Sequence, residues 1–170
     1  MTNFTPPLHP PHLPTDAPLL DRVLLEVERA SDEVVAFTSE MIRIPTVNPP
    51  GEHYDACAHF IGDTLARLGF DIEYFAAEGR PEHTARHPRV NVVGTRRGLG
   101  GGKTGHLNGH FDVVPAGEGW TKDPFGGEVA DGRIYGRGAC DMKAGIAAAA
   151  FAAEAIRRAG VPVPGTIEVS

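Results

Sequence analysis

Leu107-Asn108-Gly109-His110-Phe111-Asp112-Val113-Val114 is the stretch on which the fold turns. Its apolar residues read as a β-strand, and its two polar residues, His110 and Asp112, stand two apart and so leave the same face. Before it, Leu20, Val23, Leu24 and Val27 form a helical stripe that Val34, Phe37, Met41 and Ile42 continue, with room for a kink between them. Asp16 is placed to cap that helix, with Pro18 in its first turn, and Pro45 ends it. A second helix is predicted over residues 52–68, closed by Gly69. Further strands are predicted at 70–75 and 90–94, with a polar loop at 78–88. After the central stretch, residues 127–135 carry a hairpin signal with Asp131-Gly132 at the turn. Residues 142–159 then form a helix, apolar nearly all round between Ala144 and Ala153 and therefore buried. Gly160 and Pro162 stop it, and a last strand starts at Thr166. Helices alternating with strands give an α/β fold, a mixed sheet flanked by helices, with the hairpin as the source of the mixing.

The chain has 170 residues, 41% of them apolar, and a formal charge of −6. One core is affordable at this length. Basic residues are scattered singly or in pairs, which argues against nucleic acid as a partner. No apolar run reaches the length of a membrane span. Cys57 and Cys140 are far apart and suit reduced thiols in the cytoplasm, and no secretory signal is evident. Residues 1–18 hold six prolines and little to bury, so they read as a flexible leader in which His9 and His12 are solvated. Residues 19–170 form the folded part. The sequence stops inside a strand, which suggests a truncated domain with that strand at an unpaired sheet edge. Gly100-Gly101-Gly102-Lys103-Thr104 imitates a phosphate-binding loop, but Arg97 stands where the motif needs its first Gly, and Thr104 leads into a strand. A turn between strands is the better reading.

Three residues carry the candidate chemistry. His110 by itself reads as a structural histidine, Asp112 as a strand-end acid, and Asp141 as an N-cap for the helix that follows. Together they read as part of a metal site: imidazole and carboxylate ligate zinc, and a carboxylate behind a ligating histidine fixes its tautomer. Asp112 lies near the C-terminal end of a strand, where open α/β sheets place ligands. Gly136 and Gly138 allow a sharp turn before Asp141. After Asp141 the only acids are Glu154 and Glu168, so the ligand set is incomplete.

From Asn108 to Gly145 the sequence resembles the aminoacylase, acetylornithine deacetylase, succinyl-diaminopimelate desuccinylase and glutamate carboxypeptidase family of co-catalytic zinc metallohydrolases. The residues that carry the resemblance are Asn108 to Pro115, Trp120 with Asp123-Pro124-Phe125, and Asp131-Gly132 through Tyr135-Gly136-Arg137-Gly138 to Asp141-Met142-Lys143. Ile44-Pro45-Thr46 with Asn48-Pro49-Pro50-Gly51 fits the family's N-terminal loop. The resemblance implies an incomplete co-catalytic zinc-hydrolase domain in which His110 ligates one zinc and Asp141 bridges two, the ions roughly 3.5–4 Å apart. Asp112 is then the candidate catalytic residue, acting by orienting His110. A cis peptide is implied at Asp141-Met142. The family's Glu-Glu pair, its remaining ligands and its lid domain for dimer contacts would lie past Ser170. Trp120 and Phe125 are expected to pin the loop after the metal strand, and Cys140 to be a small packed thiol. Arg137 and Lys143 either offset nearby carboxylates or sit at the surface.

The implied activity is hydrolysis of amide bonds in N-acyl amino acids, of the acetylornithine or succinyl-diaminopimelate kind, with zinc as cofactor and cobalt as a possible substitute. The parent would be a homodimer, and these residues alone would be inactive. The alternatives are a metallo-carboxypeptidase acting on C-terminal peptide bonds, or a non-catalytic α/β module that binds metal or a partner. The expected partner is a small N-acyl amino acid or short peptide, with no nucleic acid and no membrane.

Overall fold

The computed structural model describes residues 18–170. The Asp16 cap, His9, His12 and all of the expected leader except Pro18 lie outside the described residues.

Two consecutive helices replace the single long one. α1 (Leu19–Arg29) and α2 (Ser31–Arg43) meet at Ala30, whose N–H still bonds to Glu26 O. α2 carries Phe37, Met41 and Ile42 inward. α3 (Tyr54–Arg67) buries Cys57, Ala58, Ile61 and Leu65 on one face. It ends in two back-bonds, from Gly69 N to Ala66 O and from Phe70 N to Leu65 O. β1 (Asp71–Ala76), β2 (Val90–Arg97) and β3 (Thr104–Leu107) follow, with residues 98–103 forming the turn between β2 and β3. β4 (Glu128–Ala130) and β5 (Arg133–Tyr135) make the expected hairpin. Both Asp131 and Gly132 have positive φ, as a type I′ turn requires. α4 (Ala144–Arg158) leads to β6 (Thr166–Val169).

The main sheet has the order β1-β2-β6-β3. It is mixed because β6 pairs antiparallel with β2 and parallel with β3. The hairpin does not cause the mixing: β4 and β5 form a separate two-stranded sheet. β6 was expected at an edge and is instead interior. The long connection through α4 returns it between β2 and β3, so both its sides are paired.

The strand expected over 107–114 is also different. β3 ends at Leu107, and of the residues after it only Val113 pairs again, in an isolated parallel bridge to Val47. The pairing with β6 closes with the bond from Gly109 N to Ser170 O, and the residues that follow leave the ladder. The core lies between α2, α3 and α4 and the sheet face that carries Ile72, Val92 and Val169. Phe37 stacks on Phe60 and meets Phe151 edge-on within it. The register puts Glu73, Val93, Thr95, Glu168 and His106 on the opposite face.

Candidate metal centre

The segment after β3 is fixed from two sides. Gly109 N donates to Ser170 O at 2.7 Å and Ser170 N to Leu107 O at 2.9 Å, which ties it to the end of β6. Val113 N donates to Thr46 O at 2.9 Å, and Asn48 N to Val113 O at 2.8 Å. The Thr46 hydroxyl also donates to Phe111 O. Phe111 turns toward the core and meets the Tyr54 ring edge-on at 5.3 Å. His110 and Asp112, on either side of Phe111, therefore point out together, as their spacing implied, although no strand holds them.

Asp141 comes from the other direction. Residues Ala139–Lys143 form a wide turn that is non-helical at Asp141 and Met142, with the expected cis peptide between them. Gly138 begins it at φ 85°, and a Cβ there would fall 2.5 Å from Val113 Cγ1, so the turn requires glycine. Lys143 N closes the turn on Gly138 O at 2.9 Å. No side chain caps α4, so Asp141 is not the N-cap that it resembled in the sequence.

The three residues converge. His110 Nδ1 is 3.1 Å from Asp112 Oδ1, and His110 Nε2 is 3.1 Å from Asp141 Oδ1. Asp141 is 86% exposed at its side chain, so its carboxylate stands in solvent with one oxygen turned to the imidazole. Two clefts meet here, both lined by His110 and Asp112. One, of about 540 Å³, runs toward Tyr54, Arg89 and Ser170, and the other, of about 350 Å³, toward Gly136 and Asp141. Burial, then the charge of Asp112, pushes the Tyr54 hydroxyl up to about 12, so it stays protonated.

The donor chemistry fits zinc. Bonds of about 2.1 Å at a tetrahedral angle put neighbouring ligand atoms about 3.4 Å apart, close to the separation of Nε2 and Oδ1. Among the described residues no group of three or more His, Cys, Asp or Glu is arranged around a common point, so the set ends at these two donors.

Several expectations change in detail. Cys140 is exposed rather than packed, because it sits in the turn that faces the smaller cleft. Lys143 is neither a surface charge nor a partner for a carboxylate. It is fully buried, its Nζ donates to Met41 O and Ile44 O at 2.8 Å each, and burial lowers it to about 8. Trp120 donates to Ala116 O at 2.8 Å and lies under the Arg137 guanidinium, which also bonds Ala116 O, so Trp120 pins its loop as expected. His106 is exposed, and its ring nitrogens are held by Glu168 and Ser170. Reasoning from sequence missed Arg89, whose contacts come only from the fold, and it treated Asn48 and Tyr54 only as a loop residue and a core residue.

Fold and geometry together define an α/β domain, a mixed sheet flanked by helices. A di-peptidase from Saccharomyces cerevisiae, Dug1p, superposes with a TM-score of 0.73 at 23% identity, covering 88% of this chain and 33% of that one. Human carnosine dipeptidase 1 does so at 0.68 and 25% identity, over 89% of this chain and 34% of that one. Residues 106–170 match peptidase family M20/M25/M40, and the chain belongs to that family. A succinyl-diaminopimelate desuccinylase of Cereibacter sphaeroides is 41% identical over 121 residues, 70% of this chain. The chain spans 29% of that relative's length.

Proposed function

We propose that residues 19–170 are the N-terminal part of the catalytic domain of a zinc-dependent hydrolase that cleaves the amide bond of N-acyl amino acids, N-succinyl substrates first. The observation that carries this reading is the position of His110, with a carboxylate 3.1 Å from each ring nitrogen. The 41% identity to a desuccinylase supports the choice of substrate. His110 and Asp141 would hold zinc, and Asp112 is a positioning residue. Bound there, zinc would supply Lewis acidity, polarising a carbonyl and lowering the pKa of a water toward about 7.

The chain's own residues have defined tasks. Asp112 accepts from Nδ1–H, which leaves the Nε2 lone pair directed at the metal position. Asp141 offers one oxygen beside Nε2 and keeps the other in solvent, which suits it to bridge a second ion. Phe111 and Tyr54 wall the site from the core. We further assign cytoplasmic location, since Cys57 and Cys140 are both free and no helix among the described residues is long and apolar enough to cross a membrane. Cobalt substitution and a homodimer held through a lid outside these residues complete the reading.

Equilibrium dialysis against zinc tests the site, with His110→Ala and Asp141→Ala as variants. Unchanged zinc uptake by both variants would sink the assignment. The substrate is tested by assaying the zinc-loaded longer protein that contains these residues on N-succinyl-diaminopimelate, N-acetylornithine and dipeptides. Preference for dipeptides would favour the peptidase alternative.

A further inference from the structure

Behind Asp112 stands a second row of contacts that the metal reading does not use. Asn48 Nδ2 donates to Asp112 Oδ2 at 3.1 Å. Asn48 Oδ1 in turn accepts from Arg89 Nη1 at 3.3 Å and Nη2 at 3.2 Å. Arg89 also donates to Pro50 O at 2.8 Å and to Glu82 O at 3.2 Å, and its guanidinium lies 4.7 Å from the centre of the Tyr54 ring. Tyr54 lines the same cleft as Asp112, whose charge helps to raise its hydroxyl. The fold keeps room for this guanidinium: a Cβ on Gly51, whose φ is 97°, would fall 2.4 Å from Arg89 Nη1.

The polarity of these bonds runs one way. A guanidinium can only donate, so Asn48 must present its carbonyl to Arg89 and its NH₂ to Asp112. An amide that could flip would face Asp112 with either atom, and Arg89 removes that freedom. With Oδ2 held by Asn48, Oδ1 is the carboxylate oxygen left for His110 Nδ1, which also lies 3.2 Å from the backbone O of Asp112. We propose that Arg89 and Asn48 are positioning residues that set the orientation and Nδ1–H tautomer of His110 through Asp112. The proposal rests on the metal reading only for its consequence, since the tautomer is a property of the metal-free protein.

The test uses ¹⁵N-labelled histidine. Ring spectra of the metal-free protein report the tautomer of His110, and cobalt titration followed through the same resonances reports affinity. The wild-type protein should show one Nδ1–H tautomer. Asn48→Leu should give a mixture and weaken cobalt about tenfold, at the low end of what losing a ligand's outer partner costs. Arg89→Lys keeps the charge but loses the fork, and should give the same change at a few-fold. A pure Nδ1–H tautomer in either folded variant overturns the proposal; if Asn48→Leu does not fold, Arg89→Lys decides alone. If the wild-type protein binds no cobalt but Asn48→Leu still scrambles the tautomer, the relay stands and the metal reading falls.

Discussion

His106 and His110 lie four residues apart with nearly equal side-chain exposure, 46% and 49%, yet they are built for different ends. His106 belongs to β3 and sits in register with Glu168 on β6. Its Nδ1 is 3.1 Å from Glu168, and its Nε2 is 2.8 Å from the Ser170 hydroxyl, which also accepts from Asn108 Nδ2 at 2.9 Å. A hydroxyl can give or take a proton, so the His106 set is satisfied as it stands. His110 lies off the ladder, and its Nε2 faces a carboxylate that only accepts. When Nδ1–H donates to Asp112, Nε2 and Asp141 present two lone pairs to each other, an arrangement that a cation between them would resolve. What separates the two histidines is the partner on the second nitrogen, and under the reading proposed above that partner marks His110 as the ligand; exposure does not distinguish them.

The sharpest way to break this comparison is Asp141→Ala. It removes the acceptor facing Nε2 and should reduce zinc binding by at least 100-fold in calorimetry, because one protein ligand remains where zinc sites use three or four. Asp112→Asn should cost about 10–100-fold in zinc affinity, since the amide keeps the contact but weakens the pairing with the ring. Wild-type affinity in that variant would make Asp112 structural, like Glu168.

A third carboxylate tests whether burial alone disturbs the site. Glu154 is 2% exposed at its side chain and bonds Arg96, Arg157 and Arg158. Burial works to raise its carboxyl, but the arginines outweigh it and hold it below its ordinary 4.5. A lowered folded-state value means that the unfolded chain binds more protons, so the contribution is complete above about pH 4.5 and is lost as pH falls through the folded value. Glu154→Gln should cost about 1–3 kcal/mol in chemical denaturation at neutral pH, reduced from the fully buried case because its partners are partly solvated. The loss should shrink in acid, and zinc affinity should not change. Smallest of all is His106→Ala, for which we expect no change in zinc binding and about 0.5 kcal/mol or less in stability. A zinc defect in this variant would erase the distinction between the two histidines.

The fold class and the pairing of His110 with Asp112 were legible because both rest on local periodicity: a spacing of two survived even where the strand did not. Asp141 could be read because Gly138 and the hairpin place it locally. The strand order could not be read, since nothing in Thr166–Val169 says that it enters between β2 and β3. Lys143 was misjudged because a lysine gives no sign that backbone carbonyls of α2 await it. Arg89 reaches Asn48 across 41 positions, a distance at which one sequence has no pattern to show.

The interior position of β6 has a consequence for synthesis. Among the described residues β3 has one strand neighbour, β6, and the edge of β2 away from β1 pairs with the same residues. A ribosome emits them last among these elements, so β1 and β2 can pair early while β3 must remain unpaired until Thr166–Val169 emerge. Contacts this distant along the chain slow folding, and open strand edges invite association with other nascent chains. Until Thr166–Val169 emerge, the edges of β2 and β3 that β6 covers stay open on the nascent chain.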